Sequence, residues 1–74
     1  MFGVSRSAVE GVKRMYSVGD RVELVCMEYD PRPIAEGTRG TVRHVDDMGT
    51  VHVNWDNGRS LGMCVLDGDV IRKV

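Results

Sequence analysis

Seventy-four residues with 42% apolar content set a single small domain, because a chain of this length buries only ~60% of its unfolded surface. Ten basic against eleven acidic side chains give a net charge of −1, without the basic excess that phosphate neutralisation demands of most nucleic-acid binders. No stretch approaches the ~20 apolar residues of a membrane helix and no N-terminal run has leader chemistry, so a reducing, cytoplasmic setting is expected. The charge is spread mildly: seven basic and six acidic side chains in residues 1–43, three and five in residues 44–74.

Residues 3–16 read as a short helix. Ser7 stands three before Glu10, the spacing of a capping box that satisfies free backbone N–H groups. Ala8 or Val9, Val12, Met15 and Tyr16 recur at helical spacing as one apolar stripe. Gly11 costs roughly 1 kcal/mol relative to Ala, so the helix needs docking, either on its own domain or, as a homodimer, on a second copy. Residues 1–17 are accordingly taken as a helical segment and 18–74 as the β domain.

Ser17-Val18-Gly19-Asp20 makes a turn, and 21–27 alternates as a strand with Val22, Leu24 and Cys26 on one face. Residues 28–40 hold both prolines and read as a long loop. Strands 41–45, 50–55, 60–65 and 70–74 follow, separated by turns at 46–49, 56–59 and 67–69. Val51, Val53 and Trp55 alternate with Thr50, His52 and Asn54, which sets one apolar and one polar face. Asn57-Gly58 is the residue pair of a type I′ hairpin, whose two central positions both need positive φ. The expected class is all-β: a small five-stranded SH3-like barrel with a short N-terminal α-helix.

Several constellations invite chemistry. Cys26, His44, His52 and Cys64 are zinc-ligand types, but no pair has Cys-x-x-Cys spacing and each falls in a different strand. Buried thiols and surface histidines are the simpler account, and no metal or other cofactor is expected. Asp46, Asp47, Asp67 and Asp69 sit in turns, where carboxylates bond their own backbone. Gly37-Thr38-Arg39-Gly40 lacks the Lys-Ser/Thr ending of a phosphate loop. With no nucleophile motif, no enzyme is expected.

Two binding readings remain. The loop Met27–Ile34 presents Tyr29, Arg32 and Ile34 between prolines; aromatic and arginine side chains dominate interface hot spots, and proline lowers the entropy cost of ordering. Tyr29 and Ile34 could instead cap one end of the barrel. The other class is nucleic acid, carried by Arg39, Arg43 and Arg59 with Arg32, although single-strand binders also offer exposed aromatic platforms. Here Trp55 is expected in the core and only Tyr29 outside it.

The runs Tyr16–Val25 (Tyr-Ser-Val-Gly-Asp-Arg-Val-Glu-Leu-Val), Gly37–Val42 (Gly-Thr-Arg-Gly-Thr-Val) and Val51–Leu61 (Val-His-Val-Asn-Trp-Asp-Asn-Gly-Arg-Ser-Leu) resemble a family of small bacterial and phage proteins catalogued as a domain of unknown function. With Met27, Asp30-Pro31 and Val45-Asp46-Asp47, the likeness covers nearly the whole chain. It implies an SH3-like fold and a setting in Gram-positive bacteria, their phages and their conjugative elements. From that setting follows an expectation of an accessory protein that binds host machinery, such as an inhibitor of a defence nuclease of the CRISPR type. The loop departs from the family pattern, with Arg32, Ile34, Ala35 and Glu36 in place of a more proline-rich stretch.

Overall fold

The computed structural model describes residues 5–27 and 30–74. It contains one helix, α1 (Arg6–Met15), and five strands: β1 (Arg21–Cys26), β2 (Arg39–Val45), β3 (Val51–Trp55), β4 (Ser60–Met63) and β5 (Val70–Lys73). All pairs are antiparallel, and the order across the sheet is β4-β3-β2-β1-β5. A meander of β2, β3 and β4 is thus extended by β1, and the last strand returns beside the first. No ladder joins β4 to β5 among the described residues, so the hydrogen-bonded sheet is open where a closed barrel was expected.

Two bulges bend the sheet. Pairing slips by one residue between Leu24 and Cys26 against β5, which leaves Val25 as the extra residue. It slips again between Val42 and His44 against β3, at Arg43. An extra residue on one strand sharpens the local twist. The concave face then collects Val22, Leu24, Val42, Val51, Val53 and Met63, all essentially inaccessible, with Trp55, Ile71 and Ile34 beside them. No polar or charged side chain is buried with them among the described residues.

Glycine makes one strand contact possible. Gly40 lies opposite Trp55, and a Cβ there would sit 2.5 Å from Val53 Cγ1 and 2.8 Å from the Asn54 carbonyl oxygen. Gly40 therefore belongs to β2, which begins at Arg39 rather than Thr41. Both meander turns use one device. Gly49 N–H donates to the Asp46 carbonyl and Gly58 N–H to the Trp55 carbonyl, each glycine at positive φ (81° and 92°). Asn57 keeps negative φ, so the expected two-residue type I′ turn is replaced by a three-residue loop, Asp56 to Gly58, that closes on a left-handed glycine.

The helix starts at Arg6. Its cap is Ser5, whose hydroxyl accepts from Ala8 N–H at 3.1 Å, and not Ser7. Val9, Val12 and Tyr16 are buried, while Met15 stands 58% exposed. The stripe is thus spent mainly on the chain's own core, with Tyr16 and Val12 in the cluster of the sheet. Lys13 binds the β2–β3 turn through Asp47 at 2.7 Å. After Met63 the chain leaves the sheet for a 3₁₀ turn, Val65–Asp67, where strand was expected to 65. Cys64 is consequently exposed, and the expectation of two core thiols holds only in part: Cys26 is half-buried.

Candidate functional site

The loop between β1 and β2 is fastened at several points. The Asp30 carboxylate accepts from Arg32 N–H at 2.8 Å, a local turn that fixes Pro31 between them. Arg59, in the β3–β4 turn, donates from Nη1 to the Arg32 carbonyl at 2.7 Å. Gly37 N–H donates to the Leu24 carbonyl, Leu24 N–H to the Thr38 carbonyl, and Thr38 N–H to the Ala35 carbonyl. Ile34 plugs into the core at 3% exposure. The loop is therefore held to the scaffold on both sides, and Pro31, Arg32, Pro33, Ala35 and Glu36 face solvent.

The three side chains expected at a protein contact have different placements. Arg32 is presented outward. Ile34 is not: it is an anchor that holds the loop, and its side chain is unavailable to a partner. Tyr29 lies outside the described residues. Arg59, grouped by sequence with the nucleic-acid residues, instead supports Arg32 from a turn 27 residues away.

The arginines expected on a nucleic-acid face do not form an uninterrupted basic surface. On the convex face of the sheet, Glu23 accepts from Arg39 Nε at 3.1 Å and from Arg72 Nε at 2.9 Å. These two hydrogen bonds, Arg72 first, hold the Glu23 carboxyl below its ordinary value of 4.5. Arg21 reaches Asp56 with both terminal nitrogens, at 2.9 and 2.6 Å, and Thr41 at 3.0 Å. The Arg21 bond lowers Asp56 and the Asp56 bond raises Arg21. Of the expected set, Arg43, on the bulge of β2, and Arg32, on the loop, are exposed with no ion pair to a described residue.

A second polar group lies at the β2–β3 end. Asp46 Oδ1 accepts from Met48 and Thr50 N–H groups, and Oδ2 lies 2.8 Å from His52 Nε2. The His52 bond is the main reason the Asp46 carboxyl is depressed. His44, directly opposite His52 on β2, lies with its ring centroid 5.8 Å away and nearly parallel. The His52 Nδ1 edge faces Gly62 on β4, where a Cβ would lie 3.3 Å off. His52 thus turns one nitrogen to a carboxylate and the other away from Asp46, and among the described residues no three His, Cys, Asp or Glu side chains are grouped to hold a metal ion. Asp69 accepts from Cys64 N–H through Oδ2 at 2.9 Å.

Open antiparallel sheet, plugging helix and a loop pinned between two strands together define a small mostly-β domain. Within that class, the chain belongs to the family of the domain of unknown function DUF4314, whose model matches residues 5–74. No curated protein and no solved structure matches the chain. None of the described helices is long and apolar enough to cross a membrane.

Proposed function

We propose that this domain is a non-catalytic protein-binding module on an SH3-like frame, and that it meets its partner with the loop at residues 30–38. The observation that carries this reading is the fastening of the loop around an outward Arg32. Its carbonyl is held by Arg59, its N–H by Asp30, and Ile34 is sunk in the core next to it. A contact whose backbone is already ordered loses little entropy on binding, and a solvent-facing guanidinium can be a hot-spot side chain once desolvated. The bent meander with its last strand beside the first supports the SH3-like frame. The resemblance to phage and conjugative-element proteins supports a sharper form, an accessory protein acting on host machinery such as a defence nuclease.

The test is capture from a Gram-positive host lysate on the immobilised protein, with nuclease-treated and untreated samples in parallel. A stoichiometric protein retained after nuclease treatment, and lost with Arg32→Ala, is the expected result. Arg32→Ala removes the guanidinium and keeps the carbonyl that Arg59 holds, so its circular dichroism and Tm should match the parent. Capture that disappears on nuclease treatment overturns the proposal in favour of nucleic acid at Arg39, Arg43 and Arg59. Loss with Arg43→Ala, and a steep fall of affinity with salt, would mark that outcome.

A further inference from the structure

The end of the sheet opposite the meander holds an apolar groove with no role in the fastened loop. It lies between the C-terminal turn of α1 and the segment from Val65 to Ile71, with a volume of about 290 Å³. Val12 and Tyr16 supply buried walls, while Met15, Leu66 and Val70 are 58%, 38% and 46% exposed at its lips. Single exposed apolar residues are ordinary; three lining one concavity are not. Methionine also suits a recognition surface, because its flexible thioether adapts to different shapes.

The wall formed by β5 is also an unpaired sheet edge. β5 pairs only with β1, and among the described residues no strand lies on its other side. Val74 N–H donates to the Arg21 carbonyl, and Arg72 stands opposite Glu23. In an antiparallel ladder the residues that bond the neighbour alternate with those that point away. Val74 and Arg72 therefore face β1, and the backbone groups of Ile71 and Lys73 face the open side. The Lys73 ammonium does not cover them: it is drawn to Asp20 at 3.2 Å and lies 5.8 Å from the centre of the Tyr16 ring. The charged side chain lining the groove is an acid, Asp69, and Asp67 precedes it on the 3₁₀ turn.

We infer that this groove takes an extended peptide segment of a partner protein, added along the open edge of β5, with apolar side chains at alternate positions and a lysine or arginine toward Asp69. Backbone bonds to Ile71 and Lys73 supply the register, the groove takes the alternate side chains, and the acidic lip selects the cation. This surface shares no residue with the loop at 30–38, so it stands or falls independently of that reading.

The probe is an acetylated, amidated nonapeptide of alternating valine and threonine with a central lysine, titrated into the ¹⁵N-labelled full chain. The expected result is saturable shifts of the Ile71 and Lys73 amides, with slowed hydrogen exchange at both. Met15→Glu should weaken binding by about tenfold and Val70→Thr by a smaller factor, both at exposed positions that leave the core intact. The same peptide with glutamate at its centre should bind several-fold more weakly. Absent saturation, shifts confined to residues 30–38, or indifference to the lysine-to-glutamate change overturns the inference. So does a concentration-dependent dimer that protects the same amides without peptide, since the groove's occupant would then be a second copy.

Discussion

The two faces of the sheet hold the molecule together by different physics. The concave face is aliphatic and dry, with Val22, Leu24, Val42, Val51, Val53 and Met63 excluded from water and no polar group among them. The convex face carries cross-strand ion pairs in solvent. Glu23 stands directly opposite Arg39 on one side and Arg72 on the other, and Arg21 opposite Thr41. Burial is non-directional and scales with area, so the concave face supplies most of the stability without choosing among registers of similar burial. A one-residue slip would turn the apolar set to solvent and is penalised by the concave face itself. Charges opposite one another add little energy but penalise the two-residue slip, which keeps each side chain on its face and parts Glu23 from its arginines. The difference teaches that stability and register are written on opposite sides of the same strands.

The concave face should be the easier to break. Trp55 fills the core and donates its indole N–H to the Leu61 carbonyl at 3.2 Å. Trp55→Ala is expected to cost about 3–5 kcal/mol from lost burial and cavity, against a total of about 4–11 kcal/mol for a chain of this size. Urea denaturation should show a midpoint shifted most of the way to zero or no cooperative transition at all. Gly40→Ala attacks the same face by overfilling. Its Cβ would meet Val53 and the backbone of Asn54 and Trp55, so a loss of about 1–3 kcal/mol is expected from the forced shift of β3. A parent-like urea midpoint for that variant would mean that β2 and β3 separate more easily than the packing implies. Ser5→Ala acts at the edge of this core by uncapping α1, and about 1 kcal/mol is expected in the same assay. Ser7→Ala should be close to silent, which distinguishes the cap observed from the one expected.

Alternation made the strands legible: Val22 and Leu24, and Val51, Val53 and Trp55, point inward as the period of two requires. The choice between Ser5 and Ser7 was not legible, because both precede the same apolar stripe. Burial of Val9 at the fourth helical position settles it. Bulges at Val25 and Arg43 leave no local trace, since an extra residue is visible only against its partner strand. At the candidate site, Arg32 could be read as exposed, whereas Ile34 could not be assigned. One apolar residue after a proline looks the same whether it is an anchor or a contact. The support of Arg32 by Arg59 depends on two turns meeting across the fold, a fact that no spacing within either turn encodes.

The convex face offers the smallest effect on stability and a distinctive one. Glu23, Asp20, Asp46 and Asp56 all have carboxyls held below their ordinary values in the folded state, by Arg72 and Arg39, by Ser17 N–H and Lys73, by His52, and by Arg21 respectively. A group depressed on folding contributes stability that is complete above its unfolded pKa and is lost as the pH falls through its folded value. The affected window therefore lies below 4.5 for Glu23 and below 3.8 for the aspartates. Glu23→Gln removes the charge that lies between Arg39 and Arg72 without altering the concave face. Its Tm should be slightly lower than the parent's at pH 7, by less than the Ser5→Ala change, because both arginine partners are solvent-exposed. The gap should then close as both proteins are taken progressively below pH 4.5, where the parent loses the contribution of its Glu23 charge. A gap of constant size across that range would show that the loss comes from putting an amide N–H group where an acceptor oxygen faced the arginines and not from the charge, and the convex face would lose its role in setting register.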